Sequence, residues 1–106
     1  MIIKELLCEE LIEYQDILLE LLIDSYVNNF PLTRESCEPI CKEKFKLLIE
    51  YIKQGRAIVE GAIQDNSLIG FLWLYKHDYY GEARLHVNQI IVSNKFRGKG
   101  IGKQLM

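Results

Sequence analysis

The chain has 106 residues, 49% of them hydrophobic and 26% charged, with a net charge of −2. That is the composition of one globular domain, long enough to bury a core but with little margin. No apolar run approaches the roughly 20 residues that cross a bilayer, and the start has neither the basic opening nor the apolar stretch of a signal peptide. The expectation is a soluble, cytoplasmic chain with no membrane partner.

Taken in order, residues 2–7 read as a short first strand. From Glu10, the positions Leu11, Tyr14, Leu18, Leu21, Leu22 and Ser25 recur at three- and four-residue steps, with Glu13, Asp16, Glu20 and Asp24 on the other side. That spacing predicts one amphipathic helix ending near Asn28 and Asn29, closed by Phe30 and Pro31. A second helix is predicted over 39–54, with Pro39 in its first turn, a buried stripe of Cys41, Phe45, Leu48 and Ile52, and Gly55 as its cap. Residues 33–36 read as a polar connection. Cys8, Cys37 and Cys41 are too few and too scattered for a zinc site, and reduced thiols are expected.

Residues 57–64 and 68–75 read as two strands joined by a tight turn at 65–67. The second is so apolar that both its faces are expected to be covered. A longer polar turn, 76–82, leads to a strand over 83–92. Strict alternation there puts Leu85, Val87, Gln89 and Ile91 on one face and His86, Asn88, Ile90 and Val92 on the other. The result is one α+β domain over 1–106, in the order β-α-α-β-β-β-α with a mainly antiparallel sheet.

The charge is unevenly spread. Residues 1–92 hold all fifteen acids against nine bases, a balance of −6, whereas Lys95, Arg97, Lys99 and Lys103 stand alone after Ser93, a balance of +4. These cations flank Gly98, Gly100 and Gly102, directly after a β-branched strand end. Such a strand–loop–helix suits a compact anion, because glycines allow close backbone approach and N–H groups at a helix start point outward. The spacing fits neither the dinucleotide fingerprint G-x-G-x-x-G nor the Walker loop G-x-x-x-x-G-K-[ST]. The acidic body and the lack of a stacking platform argue against nucleic acid.

Arg97-x-x-Gly100-x-Gly102, following Ile90, Ile91 and Val92, resembles the acyl-CoA motif R/Q-x-x-G-x-G/A of the GNAT superfamily of N-acetyltransferases. The preceding helices, the strand bearing Gly70 and the hairpin into 83–92 resemble the N-terminal half of that fold. The resemblance implies transfer of an acetyl group from acetyl-CoA to a primary amine of a small molecule or protein. It implies that Arg97, Gly98, Lys99, Gly100, Ile101, Gly102 and Lys103 hold the pyrophosphate. Ile90, Ile91 and Val92 would pair with the pantetheine arm, and a backbone N–H at Ile90 or Ile91 would polarise the thioester carbonyl. No metal is implied.

Amide formation needs a base to take the ammonium proton. Where many members of the superfamily carry an acid on this strand, the residue here is Gln89, which has no basic function. Glu60 and His86 are the substitutes by proximity. The family's general acid, usually a tyrosine, belongs to the half that would follow. Tyr79 and Tyr80 read as acceptor-site or surface aromatics, and 30–36 with 76–82 as the bounds of an acceptor pocket. Against the whole family fold the chain reads as a truncated domain, with weak coenzyme A binding and little or no catalysis. A homodimer through the edge of 83–92 is then expected. The alternative is a non-catalytic interaction domain that pairs through the same edge.

Overall fold

A computed structural model describes the backbone of residues 1–106 and every side chain except those of Asp78, Tyr79 and Ala83. Four strands, β1 (Ile2–Glu5), β2 (Ala57–Gln64), β3 (Ser67–Tyr79) and β4 (Glu82–Val92), form an antiparallel sheet in the order β1-β2-β3-β4. Helices α1 (Cys8–Glu13), α2 (Gln15–Asn29) and α3 (Arg34–Lys53) cover one face, and α4 (Ile101–Leu105) packs on the other. Two cores result. Val59, Leu68, Phe71, Trp73 and Ile91 meet the helical layer, while Ala62, Ile69 and Leu72 meet Ile101 and Leu105. Strand β3 therefore has both faces covered, as its continuous apolar run predicts.

The single helix predicted from Glu10 is two. Tyr14 leaves the helical region at φ −92°, ψ 12°, although hydrogen bonds from the Tyr14 N–H to Glu10 and from the Leu18 N–H to Tyr14 carry the chain across the break. No glycine or proline marks that junction. Leu19 and Ile23 are buried along with Leu18, Leu21 and Leu22, so the apolar face of α2 is wider than the stripe predicted, because α2 touches α3, β3 and β4.

Helix α3 begins five residues earlier than predicted. Thr33 is its cap, its hydroxyl accepting from the Ser36 N–H at 3.1 Å. The 33–36 segment is thus the helix start and not a connection. Pro39 sits inside the helix; the carbonyl it leaves without a helical donor is that of exposed Glu35, where water can serve.

Both hairpins close with two-residue turns at positive φ, Asp65 (53°) with Asn66 (62°) and Tyr80 (50°) with Gly81 (84°). Turns of that hand match strand twist. The second one overturns the long polar turn predicted over 76–82: β3 and β4 continue, paired, out to Tyr79 and Glu82. Tyr79 is therefore on a strand and not in a loop, though its side chain lies outside the described residues.

A bulge changes the reading of β4 most. Trp73 pairs with Gln89 and Leu74 with Val87, so Asn88 has no partner on β3. An extra residue shifts the alternation by one. Paired residues share a face, and Trp73 and Tyr75 belong to the helical side. His86 and Arg84 therefore join Gln89 and Ile91 on the helical face, and Leu85 and Val87 join Ile90 and Val92 on the α4 face. Strict alternation had separated His86 from Gln89; the structure reunites them.

Candidate functional site

The segment after β4 is held by three contacts. The Ser93 N–H donates to the Ile69 carbonyl at 2.8 Å, and the Phe96 N–H to Ser93 at 2.9 Å across the 3-10 turn Asn94–Phe96. Arg97 Nε donates back to the Val92 carbonyl at 3.1 Å. Gly98 (φ 80°) and Gly100 (φ 77°) then adopt the left-handed conformation that side chains disfavour. A Cβ built on either would meet nothing within 4 Å. Glycine is needed there for the turn of the chain, not for lack of room. Gly102 has no positive φ; a Cβ there would lie 3.9 Å from Ile90 Cδ1.

Of the residues expected to hold a cofactor, Ile101 is 5% exposed and anchors α4 to the sheet. Lys103 is exposed, and Lys99 Nζ sits over the Phe96 ring at 5.4 Å. Ile91, Val92 and Arg97 line a cleft of about 180 Å³, with Ser93, Asn94 and Lys95 on the same side and Leu21 and Asp24 of α2 opposite. The Asp24 carboxylate accepts from Arg34 at 2.7 Å, so its charge is shared before any ligand arrives. Of the residues expected to hold a cofactor, only Ile91, Val92 and Arg97 line this cleft; Gly98, Lys99, Gly100, Ile101, Gly102 and Lys103 do not.

A second and larger cleft, about 630 Å³, opens toward the other end of β4. Its floor is knitted by backbone bonds from the Arg56 N–H to the Tyr51 carbonyl (2.7 Å) and from the Lys76 N–H to the Arg56 carbonyl (2.8 Å). These join the last turn of α3 to β2 and β3. Tyr51 and Tyr75 stand edge to face at 5.5 Å, and the His77 and His86 rings at 5.3 Å. Burial, with Tyr51 and Tyr26 adding, raises the Tyr75 phenol above its ordinary range, which keeps it a neutral donor.

The two candidate bases are not brought together. Glu60 pairs with Leu72 and Glu5, on the face that carries α4. His86 pairs with Tyr75 on the helical face and lines the larger cleft. Strand β3 lies between them, and they face opposite sides of the sheet. Of the two segments expected to bound an acceptor pocket, 76–82 contributes Lys76 and His77 to the larger cleft, while 30–36 lines neither cleft. Among the described residues no group of three or more His, Cys, Asp or Glu is placed to hold a metal, and no helix is long and apolar enough to cross a membrane.

A sequence profile of the acetyltransferase (GNAT) family matches residues 16–106. The chain belongs to the GNAT family. Its fold is that of solved GNAT proteins. A GCN5-related N-acetyltransferase from Ralstonia eutropha superposes with a TM-score of 0.77 at 12% identity, over 99% of this chain and 70% of that one. The PaiA N-acetyltransferase from Thermoplasma acidophilum, solved in complex with coenzyme A, gives 0.67 at 23% identity, over 99% and 67%. A ribosomal-protein-alanine N-acetyltransferase from Brucella melitensis biovar Abortus gives 0.64 at 24%, over 99% and 65%. The chain thus spans about two thirds of these GNAT proteins. No curated protein matches it.

Within this GNAT domain, the loop between β4 and α4 is the part that the sequence motif marks, and its backbone geometry is the part the motif describes. Of the larger cleft, the sequence marks only His86 and the 76–82 segment; Tyr51, Arg56, Tyr75 and Arg84 go unmarked. Arg56, Lys76 and Arg84 carry no motif, and they meet only because β3 and β4 run to Tyr79 and Glu82. The turn signal that reveals this is Tyr80 with Gly81, a two-residue hairpin link with glycine in second place.

Proposed function

We propose that this GNAT chain binds acetyl-CoA and supports transfer of its acetyl group to a primary amine. The observation that carries the reading is the left-handed pair Gly98 and Gly100 behind a pinned Arg97, at the foot of an edge strand. The pyrophosphate is assigned to Arg97, Gly98, Lys99, Gly100, Gly102 and Lys103. The arm is assigned to the edge of β4 at Ile90, Ile91 and Val92, which no further strand covers and where a backbone can bond as an added strand would, although the Val92 carbonyl already accepts from Arg97. Acetyl-CoA supplies an activated acyl carbon: a C–N bond forms, the C–S bond breaks with coenzyme A leaving as its thiolate, and the amine proton passes to a base and on to the thiolate or to water. Gln89 offers no base. His86 opens on a cleft and is the better placed of the two substitutes, with Glu60 on the opposite face.

The second reading is an interaction domain that pairs copies of the chain through β4, and a specific observation favours it. Leu85 and Val87 are 55% and 50% exposed on the α4 side of that edge strand, and Ile90 is 38% exposed. Calorimetry with acetyl-CoA, alongside light scattering over a concentration series, separates the two. The first reading expects saturable heat from acetyl-CoA with no change in mass. Absence of heat, together with a concentration-dependent dimer, overturns it in favour of the second.

A further inference from the structure

The larger cleft carries chemistry that acetyl transfer alone does not call for. Three of the nine bases in residues 1–92, namely Arg56, Lys76 and Arg84, line it beside two histidines, although that part of the chain holds fifteen acids. Among the described residues no carboxylate lines the cleft. An anion entering that shared space meets cations from three separate stretches of the chain.

The cations are also positioned. Arg56 lies over the Tyr51 ring at 5.0 Å and donates to Gln54 Oε1 at 3.4 Å. Arg84 pairs with Glu82 at 3.3 Å, with the two side chains 56% and 73% exposed. Such an exposed pair contributes little, and the planar guanidinium groups of Arg56 and Arg84 match the fork of a carboxylate or phosphate. The half-buried Tyr51 and Tyr75 give the same cleft a flat apolar wall. His86 and Val92 are six residues apart on β4, about 20 Å at strand rise. The cleft and the glycine loop therefore lie at opposite ends of one free strand edge.

The geometry points to a binding site for the oxyanion of a small amine, a carboxylate or a phosphate held by Arg56, Lys76 and Arg84, with its apolar body against Tyr51 and Tyr75. That the ligand is an amine acceptor rests on the acetyl-transfer reading; the preference for an anion rests on the cleft alone.

The test is a titration of the 106-residue protein with L-phenylalanine and O-phosphoethanolamine, each against its control, L-phenylalaninamide and ethanolamine. Binding is followed by calorimetry and by the ring resonances of His77 and His86. At least one of the two anions is expected to bind roughly tenfold or more tightly than its control, and which one does so separates carboxylate from phosphate. Raising salt from about 0.05 M to about 0.5 M should weaken the anions and leave the controls unchanged. Arg84→Gln and Lys76→Gln should each lower anion affinity severalfold. Equal affinity for anions and controls, or anion binding indifferent to salt in the unmodified protein, overturns the proposal whatever the variants do. Acetyl-CoA is titrated separately. Anion preference without acetyl-CoA binding keeps the cleft and removes the acetyl-transfer reading; acetyl-CoA binding without the preference does the reverse.

Discussion

The two ends of β4 are made of different materials. At the Val92 end the candidate site is backbone: glycines at φ 80° and 77°, a strand end pinned by Arg97, and a short helix anchored through Ile101. At the Glu82 end it is side chain: tyrosines, imidazoles and guanidinium groups projecting from two strands, a helix end and the turn before β2. A backbone site requires particular residues at particular spacings, because only glycine adopts left-handed φ freely. A side-chain site requires only that suitable groups meet, and many sequences achieve that. The first kind leaves a motif; the second leaves none.

That difference can be broken at either end. Gly98→Val with Gly100→Val should cost about 1–2 kcal/mol of strain at each position, since a Cβ at either meets nothing within 4 Å and the cost lies in the backbone. Urea denaturation should report that loss, and calorimetry should show acetyl-CoA affinity falling by about a hundredfold, with binding in the larger cleft retained. Loss of both together would mean that the two ends are not independent.

Next in size is a perturbation of the helical layer that touches both ends. Cys41 is fully buried, and burial, reinforced by Cys37 and opposed by Lys44, pushes its thiol from 9.0 up to about 11. Its folded value lies above its unfolded one. The stabilisation is therefore complete below pH 9 and fades as pH rises through about 11, amounting to about 2–3 kcal/mol once lost. Denaturation midpoints measured between pH 8 and 11 should fall more steeply in the unmodified protein than in Cys41→Ala. Both clefts should fail at the same pH.

The smallest effect expected on stability, on the order of 1–2 kcal/mol, comes from deleting Asn88. Without Asn88 the strand becomes regular while Val87 keeps Leu74 and His86 keeps Tyr75 as partners, so His86 and Arg84 stay on the helical face. Binding in the larger cleft should therefore be retained within severalfold, and acetyl-CoA affinity should stay within about twofold. Loss of anion binding would show that the bulge itself, and not the register of β4, shapes the cleft.

Much of this was legible in the residues. The apolar run 68–75 demanded a strand covered on both sides, and the stripe of Cys41, Phe45 and Leu48 demanded the buried face of α3. Spacing and charge marked the glycine loop. What escaped was local and unsigned. Tyr14 breaks a helix whose periodicity continues through it, and Thr33 caps a helix that Pro39 made look shorter. Asn88 slips one residue into a strand that reads perfectly well as regular. Glu60 and His86 were adjacent candidates by strand order, and only pairing register revealed that they face opposite ways.

The bulge has one further consequence. An edge strand with exposed Leu85, Val87 and Ile90 is the kind of template on which identical chains stack without limit. Here the ladder on that edge is divided, with 82–87 on one side of Asn88 and 89–92 on the other. A long regular strand arriving from another molecule keeps register with one segment only, unless it carries a matching extra residue. The free edge thus stays open to something short and extended and is poorly matched to open-ended aggregation.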